Sequence, residues 1–187
     1  SGIASKPSSG LGVVCHDFTH DGWPDIFVAN DARPNHLWVN QKDGTFKEEA
    51  LLRGVALDAA GEVRANMGIA LGDLHNQGRG DLFVAHLSEE LHTLWQQYRP
   101  GQFRDVTAFA GLAATRWRGT GFGTIAIDFD HDGYRDLVVA NGRVIRSRYP
   151  APNIRTELPE FWKDYAERNQ LFRNQGDGRF LDISLDS

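Results

Sequence analysis

Short apolar runs alternate with polar loops along this chain, and the same alternation occurs three times. In each copy, one apolar run precedes an aspartate-rich loop and a second run follows it. The runs occupy residues 12–15 and 26–29, then 68–71 and 82–85, then 123–127 and 137–140. They are short, rich in β-branched residues and apolar on both faces. This pattern predicts strands that are buried between packed sheets.

A third and a fourth strand are predicted in each copy. The third covers residues 35–40, 92–96 and 169–174, and a turn then leads to a phenylalanine at Phe46, Phe103 or Phe180. In the first and third copies the turn is Asp-Gly, which is a strong hairpin signal. Each copy is therefore interpreted as a four-stranded meander, the unit of a β-propeller blade.

The repeat is regular enough to define the domain organisation. The leading aspartates Asp17, Asp73 and Asp128 are 56 and 55 residues apart (73−17 and 128−73). A fixed period of this length indicates a repeat architecture. We expect an all-β chain forming a single partial β-propeller domain over residues 1–187, with repeats of approximately 10–65, 66–120 and 121–187. Three blades cannot close a ring of the usual four to eight. We therefore expect an open arc, a part of a larger propeller, or a homo-oligomer.

The third copy contains an insertion at about residues 143–166. Within it Leu158, Phe161, Trp162 and Tyr165 follow the i, i+3, i+4, i+7 spacing of one helix face. The insertion is predicted to contain an extended loop and then a short helix.

Composition and charge narrow the function classes. Hydrophobic residues make up 41% of the chain, which is enough for a core, and the net charge of −5 argues against nucleic-acid binding. No apolar run is long enough for a membrane-spanning helix, and no signal peptide is visible. No catalytic motif of a known hydrolase or nucleotide-binding type occurs, so no catalytic residue is assigned.

The aspartate-rich loops are the candidate metal-binding sites. Counted from the leading aspartate, positions 1, 3, 5 and 9 offer side-chain oxygens, and position 7 offers a backbone carbonyl. In the third loop the predicted ligands are Asp128, Asp130, Asp132, Tyr134 and Asp136, and in the first they are Asp17, Thr19, Asp21, Trp23 and Asp25. Hard oxygen ligands in a short loop favour Ca²⁺. An EF-hand is disfavoured because position 12 is valine and both flanks are predicted strands. Turns held only by side-chain to backbone hydrogen bonds remain the alternative.

The middle loop departs from this pattern. Its corresponding positions are Asp73, His75, Gln77 and Asp81, so that only two of the four are carboxylates. Ca²⁺ affinity in such loops depends on the number of charged ligands. We expect weak Ca²⁺ binding here, or none.

Three segments together resemble the FG-GAP/VCBS repeat family. They are Gly121-Phe122-Gly123, the Asp-x-Asp-x-Asp-Gly-x-x-Asp loop that begins at Asp128, and the hairpin from Asn169 to Phe180. Within the family they look most similar to the ASPIC/UnbV, cartilage acidic protein-like group. The resemblance implies propeller blades with Ca²⁺ between their first and second strands. It also implies a secreted, periplasmic or cell-surface location.

The same resemblance implies a binding, adhesion or structural module rather than an enzyme. A protein or glycan ligand would be its partner. A polysaccharide-active or other propeller enzyme remains the alternative, although it rests on analogy between folds alone.

Overall fold

The computed structural model describes residues 1–115, 117–144 and 159–184. Twelve strands form three four-stranded antiparallel sheets, each in chain order. The first sheet contains β1 Gly10–His16, β2 Asp25–Asn30, β3 His36–Asn40 and β4 Phe46–Glu48. The second contains β5 Ile69–Gly72, β6 Asp81–Val84, β7 Thr93–Arg99 and β8 Gln102–Asp105. The third contains β9 Thr120–Ile127, β10 Asp136–Gly142, β11 Gln170–Asn174 and β12 Phe180–Asp182. The prediction of three meander blades is confirmed.

Successive blades pack face to face. We define the forward face of a blade as the face towards the next blade in the chain, and the rear face as the opposite one. The forward-face residues Phe27 and Leu37 share one core cluster with Leu82 and Trp95 of the second blade. A second, equivalent cluster joins the second and third blades. The second blade therefore packs through both pleat faces, as its apolar runs predict.

Glycine allows the innermost strands of neighbouring blades to approach closely. A Cβ atom at Gly12 would lie 2.5 Å from the carbonyl oxygen of Met67, and one at Gly68 would overlap the carbonyl oxygen of Phe122. Gly123 is the equivalent residue of the third blade. A Cβ there would meet only Ala140 of the same blade, at 3.7 Å. The first two glycines are thus required by the next blade, whereas the third has no such neighbour among the described residues.

The two terminal blade faces are open. On the forward face of the third blade, Ile125 is 52% exposed and Leu181 is 47% exposed. On the rear face of the first blade, Val13 is 63% exposed. The outer part of that rear face is different, because Trp38 is only 3% exposed. Residues 1–6 run along β4 nearby, where Lys6 pairs with Glu48 at 3.1 Å.

The insertion contains the short helix that its sequence predicts. Helix α1 covers Glu160–Lys163 and is shorter than the predicted amphipathic stripe. Phe161 and Trp162 remain more than half exposed, and their rings contact each other at 5.0 Å between centroids. Leu158, the first residue of the predicted stripe, lies outside the described residues. No helix in the described ranges is long and apolar enough to cross a membrane.

Candidate metal centre

The third aspartate-rich loop, between β9 and β10, is wound around its own first side chain. The carboxylate of Asp128 accepts hydrogen bonds from the backbone N–H groups of Asp132 at 3.1 Å and Gly133 at 3.0 Å. Gly133 has a φ of +90°, which a glycine adopts without strain. The Asp132 carboxylate accepts a further bond from the Tyr134 N–H at 2.9 Å. These bonds curl the loop so that its side-chain oxygens converge.

Asp136 closes this loop from the first position of β10. Its side chain is fully buried, and it accepts hydrogen bonds from the N–H groups of Phe129 at 3.1 Å and Asn174 at 2.8 Å. Burial raises the pKa of Asp136, and the nearby carboxylates of Asp130 and Asp132 raise it further. A buried carboxylate beside other negative charges is stabilised by a cation.

Three of the five predicted ligands of this loop are brought together. Oxygen atoms of Asp128, Asp130 and Asp136 all lie within 4.8 Å of one another. No other set of three metal-ligating side chains was found this close in the described part of the chain. Asp132 is not in this set, and its carboxylate accepts the Tyr134 N–H. The donor set is all oxygen, which fits a hard divalent cation such as Ca²⁺.

The first loop repeats this backbone frame. Asp17 accepts from the N–H groups of Asp21 at 3.0 Å and Gly22 at 2.8 Å. Asp25 accepts from the N–H of Thr19 at 3.1 Å, and burial raises its pKa. The Thr19 hydroxyl oxygen is buried beside the Asp21 and Asp25 carboxylates, and it acts to lower the pKa of each. Its position among the loop carboxylates makes it a candidate further ligand.

The first loop also has a counter-charge. The Lys42 ammonium lies 3.2 Å from the Asp21 carboxylate. Desolvation acts to raise the pKa of Asp21, but hydrogen bonds from the Trp23 N–H and Lys42 outweigh it and lower that pKa. Lys42 lies in the β3–β4 turn and neutralises part of the charge of the first loop.

The second loop keeps the frame but changes the side chains inside it. Asp73 accepts from the N–H groups of Gln77 at 2.8 Å and Gly78 at 2.7 Å. Asp81 accepts from the Gln97 N–H at 2.8 Å, and its other oxygen lies 2.7 Å from Nδ1 of His75. The Gln77 side-chain oxygen accepts a bond from the Arg79 guanidinium. The predicted loss of ligand oxygens is thus matched by new hydrogen-bond donors.

The first and second loops are also tied to the blades that follow them. Gln97 of the second blade donates its side-chain N–H to the Phe18 carbonyl of the first loop at 2.6 Å. Asn174 of the third blade donates in the same way to the Leu74 carbonyl of the second loop at 2.9 Å. Sequence reasoning missed these amides. Their signal is a carboxamide at the same place in each third strand, with Asn40 as the first copy.

Sequence reasoning also missed a buried histidine pair. The His86 N–H donates to Nδ1 of His92 at 3.0 Å, and both side chains are buried. The other two blades make the same bond with asparagine pairs, from the N–H of Asn30 or Asn141 to the side chain of Asn35 or Asn169. The signal was the residue after each Val-Ala pair, which is Asn, His and Asn in the three copies.

Comparison with known proteins identifies this architecture. The model of the FG-GAP-like repeat family matches residues 17–84 and 73–139. Cartilage acidic protein 1 of Mus musculus is 29% identical over 132 residues, which cover 68% of this chain and 19% of that protein. The Xenopus tropicalis protein of the same name is 28% identical over 153 residues, covering 80% of this chain and 22% of that protein. The chain thus spans about a fifth of the length of these relatives.

A solved structure supports the fold. An Agrocybe aegerita lectin, described as specifically recognising non-reducing terminal N-acetylglucosamine, aligns with a TM-score of 0.50 and 19% identity. The alignment covers 92% of this chain and 37% of the lectin, and at this identity it supports the fold alone. The family match, in contrast, spans more than half of the chain. As its loops and hairpins predict, this chain belongs to the FG-GAP-like repeat family.

Proposed function

We propose that this chain is a calcium-binding part of a propeller that acts as a binding, adhesion or structural module. The observation that carries the proposal is the convergence of Asp128, Asp130 and Asp136 within 4.8 Å. Asp136 is buried in this set and its pKa is raised. Within the described residues, no lysine or arginine forms an ion pair with these carboxylates. A bound Ca²⁺ would supply the missing positive charge.

The first loop is proposed as a second and weaker site. It offers Asp17, Asp21 and Asp25, together with the buried hydroxyl of Thr19. Lys42 competes with a cation for Asp21, with which it already forms an ion pair. Because an ion that binds only the folded loops stabilises them by mass action, Ca²⁺ should raise the thermal stability of the whole arc.

Calorimetric titration of chelator-treated protein with Ca²⁺ tests this proposal. We expect about two sites, from the number of complete oxygen-ligand loops. Asp130→Asn should remove the tighter site, since it deletes one ligand charge without changing the size of the side chain. Glu62→Gln is the matched control, because it removes an equal charge from an exposed residue outside the three aspartate-rich loops. No heat of binding at millimolar Ca²⁺ would refute the proposal.

We propose a macromolecular ligand rather than a substrate. The lectin that shares this fold recognises a terminal sugar, so a glycan is the first class to screen. Binding without turnover on a glycan panel would support the module. Turnover that depends on a single carboxylate would contradict it and favour a polysaccharide-active enzyme. A secreted, periplasmic or cell-surface location is proposed with this function.

We also propose that another blade of the same kind covers the forward face of the third blade. Its exposed Ile125 corresponds to Val14 and Ala70, which pack on the following blades. Because the relatives are much longer, the proposed occupant is a further blade of a longer chain. In the isolated chain a second copy should take its place, so the mass measured by light scattering should rise with concentration.

A charge on the forward face tests this assembly. Ile125→Glu should abolish the rise in mass. The matched control is Leu51→Glu, which places the same charge at an exposed leucine outside the open faces. A strictly monomeric wild type at high concentration would contradict the assembly.

A further inference from the structure

The second aspartate-rich loop has side-chain donors where the other two have ligand oxygens. We propose that His75 and Arg79 close this loop in place of a metal ion, and that these two side chains keep Ca²⁺ out of it. This inference rests on the proposed calcium binding of the first and third loops. It goes beyond it by assigning a role to the loop that lacks the ligand pattern.

The backbone of the second loop does not explain a difference in metal binding. Asp73 receives the same pair of N–H bonds as Asp17 and Asp128, from the residues at positions 5 and 6. Asp81 receives the N–H bond from position 2 and the bond from the third strand, as Asp136 does. Both ends of the cation-binding frame are therefore built. The difference must lie in the side chains at positions 3, 5 and 7.

Position 3 is the first difference. Nδ1 of His75 lies 2.7 Å from the Asp81 carboxylate oxygen that also accepts the Leu74 N–H. The His75 side chain is only 9% exposed. Its ring lies against the β11–β12 turn, where a Cβ at Gly178 would be 3.0 Å from Cδ2. The imidazole is therefore held in place by the next blade, and it offers Asp81 a donor where Asp130 offers the third loop an oxygen.

Positions 5 and 7 are the second difference. Arg79 replaces the aromatic residue that the other loops have at position 7. Its guanidinium donates to the Gln77 side-chain oxygen and, through Nε, to the Gln97 carbonyl at 2.7 Å. The neutral side-chain oxygen at position 5 therefore already accepts a hydrogen bond. The positive charge of Arg79 also opposes the approach of a cation.

The three loops form a graded series in the number of carboxylates at their ligand positions and in the basic side chains beside them. The third has four carboxylates at the ligand positions, and the described residues provide no ion pair to them. The first has three carboxylates and an ion pair with Lys42. The second has two carboxylates, and His75 and Arg79 are within the loop itself. The demand for an external cation therefore falls from the third loop to the first, and is lowest in the second.

Restoring the ligand pattern tests the inference. The triple variant His75→Asp/Gln77→Asp/Arg79→Tyr gives the second loop the side chains that the third loop has at positions 3, 5 and 7. Calorimetric titration with Ca²⁺ should show the stoichiometry rise from about two sites to about three, as the complete loops predict. The matched control, His75→Asn/Gln77→Asn/Arg79→Tyr, has the same shape without the charges and should stay at two.

The outcomes separate this inference from the proposed function. No site in the wild type refutes the proposed function, and the inference fails with it. Three sites in the wild type overturn the inference alone, because the second loop then binds Ca²⁺ despite His75 and Arg79. Two sites in a triple variant that melts cooperatively also overturn it.

A single variant keeps the test decisive if the triple variant does not fold. His75→Ala should lower the melting temperature by the same amount in saturating Ca²⁺ and in chelator, because no ion is present at the second loop to be lost. A loss of melting temperature that appears only in saturating Ca²⁺ would show that His75 is a metal ligand, and would overturn the inference.

Discussion

Acid should destabilise the fold, because two histidines are buried in the β6–β7 connection of the second blade. His86 is fully buried, and burial, followed by the neighbouring His92, lowers its pKa to about 3. Burial also lowers the pKa of His92. Both rings are neutral at pH 7, and both already make hydrogen bonds, between His86 and Thr93 at 2.8 Å and between His92 and Gln170 at 3.2 Å. Protonation would place a charge on a buried ring.

The sign and size of the effect follow from linkage. A histidine whose pKa is lowered on folding does not destabilise the fold above its unfolded pKa of 6.5. As the pH falls from 6.5 towards 3, the unfolded state binds a proton that the folded state does not, and the fold loses stability. His86 alone should cost the fold about 2 kcal/mol at pH 5, and about 1.4 kcal/mol more for each further pH unit. Against a typical domain stability of about 5–15 kcal/mol, a loss of this size is readily measured.

The other blades provide the matched variant. His86→Asn/His92→Asn gives the second blade the asparagine pair found at Asn30 and Asn35 and at Asn141 and Asn169. Urea unfolding, followed by tryptophan fluorescence at fixed Ca²⁺, should show that the wild type loses about 2 kcal/mol more than this variant between pH 7.5 and pH 5. His20→Asn, at an exposed loop position, should keep the wild-type acid sensitivity. Parallel pH profiles for the wild type and the double variant would refute the reasoning.

Two further predictions concern the loops and the packing of the blades. Asp132→Ala should reduce Ca²⁺-dependent thermal stability more than Gln77→Ala, because only Asp132 adds charge to a complete ligand loop; equal losses in the melting curves would contradict this. Gly68→Ala should destabilise the fold by about 1–3 kcal/mol, because its methyl group would overlap the Phe122 carbonyl. Gly123→Ala should destabilise the fold much less, because its methyl group would contact only Ala140 of the same blade. Urea unfolding of both alanine variants tests this difference.

Local sequence signals were sufficient for the blades and the loops. Apolar runs on both sides of an Asp-Gly loop placed β1, β2 and their counterparts, because strand formation and turn formation each depend on a few neighbouring residues. The convergence of Asp128, Asp130 and Asp136 follows from the same local winding of one loop. These features need no knowledge of which blade lies next to which.

Contacts between blades could not be predicted from local sequence signals. The bond from Asn174 to the Leu74 carbonyl joins residues that are 100 positions apart. The burial of His92 involves Gln170 of the third blade, 78 positions away, and no local pattern indicates this contact. Likewise, the spacing of Phe161, Trp162 and Tyr165 predicted a helix, but not that these three rings would contact one another.

The repeat specifies an interface as well as a blade. Three residues before each leading aspartate stand Val14, Ala70 and Ile125, and the first two face the next blade. The residue two positions after the last loop aspartate follows the same rule. Phe27 and Phe83 occupy this position, and both are buried on forward faces that the following blade covers. Because the side-chain period of a strand is two, this register is fixed along the whole strand. An apolar residue such as Ile125 is therefore exposed here only because no blade follows it among the described residues.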